Sequence, residues 1–148
     1  MSEKEGSGPR KVEIPSDMLA FNKAVIAEHR ANGGKLGGPM EGRTVLLLTT
    51  TGRRSGEQRT TVLGYGRYRD RLVVIASNNA APSAPAWYHN LLADPNATVE
   101  LGSERFNVRA TTAGPDERDE LGKVVPYLEA QQQRTAREIP IVILDRVG

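Results

Sequence analysis

Between Thr51 and Glu57 the chain reads Gly-Arg-Arg-Ser-Gly, so Arg53, Arg54 and Ser55 lie between Gly52 and Gly56, and Arg59 follows three residues later. A guanidinium contacts phosphate or carboxylate through two parallel bonds, and glycine lets backbone N–H groups turn inward toward an anion. The turn therefore offers two forks, a hydroxyl and several free N–H groups to an anionic ligand. The same composition also describes a solvated, arginine-rich hairpin turn. It is not a Walker loop, whose lysine and spacing are missing, and no parallel βαβ unit surrounds it as the dinucleotide glycine fingerprint requires.

Two further stretches hold groups of interest. Ile75, Ala76, Ser77 and Asn78 end an apolar run with small and amide residues, which suit hydrogen bonds to a heteroaromatic edge and are equally common in turns. Ala86, Trp87, Tyr88, His89 and Asn90 place the one tryptophan beside a tyrosine and a histidine. A helical tryptophan serves as core or as a cofactor wall, and a lone histidine such as His89 suits a surface or capping position better than a catalytic base.

Composition narrows the chemistry. The 148 residues contain no cysteine, which excludes disulfides and thiolate chemistry, and only His29 and His89 as histidines, in no metal-ligand spacing. No metal site is expected, so redox chemistry here needs an organic cofactor. Twenty basic against eighteen acidic residues leave a charge of +2, which confines any positive site to one locality and argues against a general nucleic-acid partner. The N-terminus is polar and no apolar run approaches membrane-spanning length, so a cytoplasmic protein is expected, with peripheral membrane contact by an N-terminal helix as the minor reading.

These groups need a scaffold, and the pattern supplies one. Residues 1–13 read as a disordered lead-in and 14–148 as one domain. A helix is expected from Pro15 to about Ala31, with Leu19, Phe21, Val25 and Ile26 forming a partial stripe, then a glycine-rich loop over Gly33 to Gly38. Strands follow in RTVLLLTT, QRTTVLGYGRYR and RLVVIAS, the last two joined by a tight turn at Arg69-Asp70. Val62 and Leu63 face opposite ways, as do Val73 and Val74, so both faces of these strands are covered. A helix capped by Ser83 and stopped at Asp94-Pro95 precedes a hairpin about Gly102-Ser103, with Phe106, Val108 and Ala110 inward. A helix opening at Pro115 should break at Pro126, and IPIVILDRV closes the sheet. The expected fold class is α+β, a barrel of about six mostly antiparallel strands with flanking helices.

Taken in order, LLLTTTGRRSGEQRTTVL, RLVVIASNNA, PAWYHNLLADPNATVEL and IPIV resemble the deazaflavin-dependent nitroreductases of actinobacteria, a branch of the flavin/deazaflavin oxidoreductases with a split β-barrel fold. The likeness runs from about Leu36 to Val142. It implies that reduced coenzyme F420 lies in a groove. Arg53, Arg54, Ser55, Gly56 and Arg59 would hold its phosphate and polyglutamate tail. Thr60, Thr61, Val62, Leu63 and Gly64 would run beside the ring and ribityl chain, Ile75, Ala76, Ser77 and Asn78 would meet the ring edge, and Ala86, Trp87, Tyr88, His89 and Asn90 would line the remaining wall.

The implied activity is hydride transfer from the reduced deazaflavin to an electron-poor small molecule, a quinone, an activated enone or lactone, or a nitro compound. Tyr127, Ser77, Tyr65 or solvent would deliver the accompanying proton. One departure bears on the acceptor. Nitro-reducing relatives carry several tyrosines before IPIV, whereas VVPYLEAQQQRTARE has Tyr127 alone and sets Leu128 in the tyrosine position, so nitro reduction does not follow. The alternatives are an FMN-loaded split barrel, a coenzyme carrier without catalysis, and a small barrel binding single-stranded nucleic acid through YGRYRDR.

Overall fold

The computed structural model describes residues 15–37 and 44–147, with side chains described from Asn22 onward except that of Asn79. Helix α1 (Pro15–Ala31) leads into β1 (Val45–Thr51), β2 (Gln58–Gly64), β3 (Gly66–Tyr68) and β4 (Arg71–Ile75). Helix α2 (Ala86–Ala93), β5 (Asn96–Leu101), β6 (Glu104–Thr112), α3 (Pro115–Gly122), α4 (Leu128–Gln132) and β7 (Ile141–Arg146) complete the chain. The expected lead-in, the side chains of the stripe residues Leu19 and Phe21, and Gly38 lie outside the described part.

Seven strands form one sheet in the order β2-β1-β5-β6-β7-β4-β3, every neighbouring pair antiparallel. Residues 58–68 explain both the count and the closure. They read as one strand, but the ladder breaks at Tyr65, so the first part pairs with β1 and the last part with β4 at the opposite end of the sheet. A single bent segment thereby joins the two ends of the sheet, and the sheet curls into a split barrel.

Alternation along the strands separates two apolar layers. Leu46, Leu48, Val74, Val99, Val108 and Leu144 fill the interior, with Leu63, Phe106 and Ala110 packed against them. Val73, Ile75, Ile141 and Ile143 face outward and are covered by Leu121 and Val125. Each such side chain contributes roughly 1.5–3 kcal/mol when fully buried. On another outer face, Val25 of α1 packs with Leu36, Val45 and Val62.

Two local expectations need correction. The cap of α2 is Pro85, with no side-chain capping bond, because Ser83 is held two residues earlier with its carbonyl accepting from Asn78 Nδ2 at 3.1 Å. The helix opened by Pro115 ends at Gly122, ahead of Pro126, because residues 124–127 lie flat on the bent strand. A β-carbon on Gly66 would sit 2.0 Å from the carbonyl oxygen of Val124, so only glycine admits that approach.

Candidate functional site

The β1–β2 hairpin carries the arginine loop. Thr51 pairs with Gln58, and the intervening residues close on themselves: Gly52 N–H donates to Glu57 O at 2.8 Å, Gly56 N–H to Gly52 O at 2.9 Å, and Glu57 N–H to Ser55 Oγ at 3.1 Å. Gly56 sits at φ 74, the left-handed region the turn demands. Arg53 N–H donates to the buried Asn90 Oδ1 at 3.1 Å, and Asn90 Nδ2 donates to Thr50 Oγ1 at 3.2 Å. The expectation of several free backbone N–H groups narrows to those of Arg54 and Ser55, since those of Gly52, Arg53, Gly56 and Glu57 are already engaged. An anion here meets guanidinium groups.

Those groups are exposed. Arg53 and Arg54 form no side-chain ion pair among the described residues, while Arg59 Nη2 lies 3.3 Å from Glu57 Oε1. Beside them opens a cavity of about 750 Å³. Arg53, Arg54, Ser55, Arg59, Thr60 and Thr61 line one part of it; Asn78, Ala86, Trp87 and Asn90 also line it. Asn22 of α1, Thr50, Gly52 and Pro85 complete the lining, and of these only Gly52 was singled out from the sequence. Thr50 and Pro85 flank motifs that were, whereas Asn22 carries no local mark of its role.

The other expected residues stand elsewhere. Gly56 stays on the exposed loop, Val62 turns to α1, and Leu63 turns to the interior. Gly64 lies beneath Tyr127, whose hydroxyl is 2.9 Å from the place a β-carbon would occupy. Ile75 belongs to the outer apolar layer and Ala76 to the interior, so neither side chain reaches the cavity. Tyr88 packs against the interior, its hydroxyl 2.9 Å from Thr112 Oγ1, and half-buried His89 lies beside it with ring centroids 6.2 Å apart.

The segment after β4 is tightly braced. Arg137, unmarked in the sequence, sends Nε to Ala81 O at 2.9 Å and Nη2 to Ser77 O at 2.8 Å and Ala76 O at 3.2 Å. Asn78 and Ala80 in this segment sit at φ 49 and φ 63.

None of the three hydroxyls considered for proton delivery lines the cavity. Tyr65 packs against the interior, with the Arg67 guanidinium 5.7 Å from its ring. Tyr127 is half-buried and burial pushes its phenol above the ordinary range, so it stays neutral. Ser77 adjoins Asn78 in the wall. Leu128, the residue the resemblance sets in the tyrosine position, packs against the outer apolar layer.

Charged pairs hold the frame around the site. Arg30 donates Nε and Nη2 to Glu100 at 2.9 and 2.8 Å, and this bidentate bond holds the buried carboxyl below its usual range. Arg71 does the same to Asp145 at 2.8 and 2.9 Å, tying β4 to β7. Among the described residues no cluster of three or more His, Asp or Glu could hold a metal ion, and no described helix is long and apolar enough to cross a membrane.

The comparisons agree with this architecture. The family model described as F420H(2)-dependent quinone reductase matches residues 22–146. An F420H(2)-dependent quinone reductase of Mycobacterium tuberculosis is 38% identical over 128 residues, covering 81% of this chain and 86% of that one. Among solved structures, an F420-H2 dependent reductase superposes with a TM-score of 0.64 at 30% identity, covering 70% of this chain and 95% of that one. A chain described as a domain-swapped dimer gives 0.66 at 27% identity, covering 89% of this chain and 100% of that one. With a scaffold, an arginine loop and a matched span that all coincide, the chain belongs to the F420H(2)-dependent quinone reductase family.

Proposed function

We propose that this protein transfers a hydride from reduced coenzyme F420 to a quinone, and that the cavity beside the arginine loop holds the coenzyme. The observation that carries the reading is the wall itself: three arginines from one hairpin stand over a space of about 750 Å³ that also touches Trp87 and Asn78. That volume lies within the roughly 300–1,000 Å³ usual for organic ligands. Arg53 and Arg54, without carboxylate partners among the described residues, fit a phosphate-bearing, polycarboxylate tail, and an indole fits an aromatic ring.

The bound coenzyme supplies a two-electron hydride donor, and the quinone takes up that hydride and one proton to become the quinol. What the chain contributes is binding and orientation. Arg53 and Arg54 anchor the tail, Arg59 assists while sharing its charge with Glu57, and Asn90 fixes the loop that carries them. Trp87 and Asn78 border the ring, and Thr60 and Thr61 lie along the strand beneath. Water entering the open groove delivers the proton, since Tyr65 and Tyr127 are turned to other contacts and Ser77 does not line the cavity.

The test is anaerobic mixing of the protein with F420H2 and a soluble menaquinone analogue. Equal amounts of oxidised coenzyme and quinol are expected, with nitroimidazoles turning over more slowly. Stoichiometric binding without turnover on any quinone would instead support a carrier. The nucleic-acid reading loses its platform, because Arg67 and Arg69 already cover the rings of Tyr65 and Tyr68 at 5.7 and 5.3 Å.

A further inference from the structure

Resting on the coenzyme reading above, we infer that Arg137 is a positioning residue for coenzyme binding, holding residues 76–83 in the strained shape that presents Asn78 to the cavity. One guanidinium gathers four carbonyl oxygens from this short segment: Nε reaches Ala81 O at 2.9 Å, and Nη2 lies 2.8, 3.2 and 3.3 Å from those of Ser77, Ala76 and Ser83. Among the described residues Arg137 has no carboxylate partner, so these dipoles are what its charge engages.

The segment needs such a brace. Asn78 and Ala80 both adopt positive φ, 49 and 63, a conformation that side-chain-bearing residues hold only when their surroundings over-determine it. Two internal bonds, Ala80 N–H to Ser77 O at 2.8 Å and Ala81 N–H to Asn78 O at 3.0 Å, close the turn without anchoring it to the barrel. Ala76 N–H to Pro140 O at 2.9 Å ties down the near end of the segment, and Arg137 anchors the rest. Its own main chain is fixed by Gln132 of α4, which donates Nε2 to Arg137 O at 2.7 Å and accepts from Ile139 N–H at 2.9 Å. The chain of support thus runs from α4 through Arg137 to Asn78 in the wall.

A lysine cannot replace this fork, because one ammonium is a point donor and the acceptors on Ala81 and Ser77 are reached through separate nitrogens. Methionine keeps much of the aliphatic stem and loses every donor.

The experiment compares wild type, Arg137→Met and Arg137→Lys by hydrogen–deuterium exchange of the ligand-free protein and by F420H2 titration followed through Trp87 emission, both well below the melting temperature. For Arg137→Met, exchange in residues 76–83 should accelerate by about tenfold while β1 and β5 stay protected. The F420H2 dissociation constant should rise by about tenfold, with kcat at saturating coenzyme falling by less than about threefold; Arg137→Lys should recover little of the affinity. Unchanged exchange in 76–83, an even rise across the whole barrel, or unchanged affinity despite a loosened segment would each overturn the inference. Failure of wild type to bind F420H2 contradicts the coenzyme reading itself and with it the coenzyme half of this inference, while the exchange result still decides the bracing.

Discussion

Gly66 and Gly64 differ sharply in what they tolerate, although both sit in the same short GYG run. An added β-carbon at Gly66 meets a backbone oxygen at 2.0 Å, whereas at Gly64 it meets the movable end of Tyr127 at 2.9 Å. Gly66→Ala should therefore cost about 3 kcal/mol or more and Gly64→Ala about 1 kcal/mol, read as the drop in denaturant midpoint. The arginines proposed to hold the coenzyme tail also separate. Arg53→Ala or Arg54→Ala should each weaken F420H2 binding by roughly fivefold to tenfold, a loss that shrinks with added salt, and Arg59→Ala by less, because Glu57 already shares that charge. Calorimetric titration at two ionic strengths checks the ranking. At this scale the arginine cluster was legible because residue type alone announces it. The use of its N–H groups was not, since Asn90 and Glu57 satisfy them through contacts that local sequence does not display.

Among elements, the loop depends on α2 through one buried amide. Asn90→Leu leaves Arg53 N–H and Thr50 Oγ1 without that partner, so a loss of about 1–3 kcal/mol in stability and weaker coenzyme binding are expected. The attachment of α1 to β5 is ionic. Glu100 has a folded pKa below its unfolded value, so the stability it adds is present above the ordinary carboxylate range and is lost as pH falls through the depressed value. Melting temperature should stay level from neutral pH to about pH 5 and decline below it, and Glu100→Gln should lower it at neutral pH while flattening the acid decline. Because Arg30 is half exposed, with 48% of its side chain accessible, the effect should remain near 1 kcal/mol. Strand alternation and the Gly102-Ser103 turn were readable from period and turn chemistry. The break at Tyr65 was not, because it follows from which strand each half pairs with, a decision made by residues far away in sequence.

For the whole molecule, closure of the sheet by one bent segment places the arginine loop, the start of α2 and the turn after β4 around one space. The family resemblance carried by four motifs implied that these segments share one groove, which composition and periodicity alone did not. Arg137 and Asn22 escaped because each reaches the site across the fold, 54 or more positions from Ser83 in the first case. On the function proposed above, this space holds a deazaflavin against Trp87, which is 8% exposed and lies in its wall. The direct measurement is titration of the ligand-free protein with F420H2 and, separately, with FMN, following Trp87 emission. Saturating, stoichiometric quenching by F420H2 with markedly weaker binding of FMN is the predicted result; unchanged emission with F420H2, or tighter binding of FMN, would contradict it.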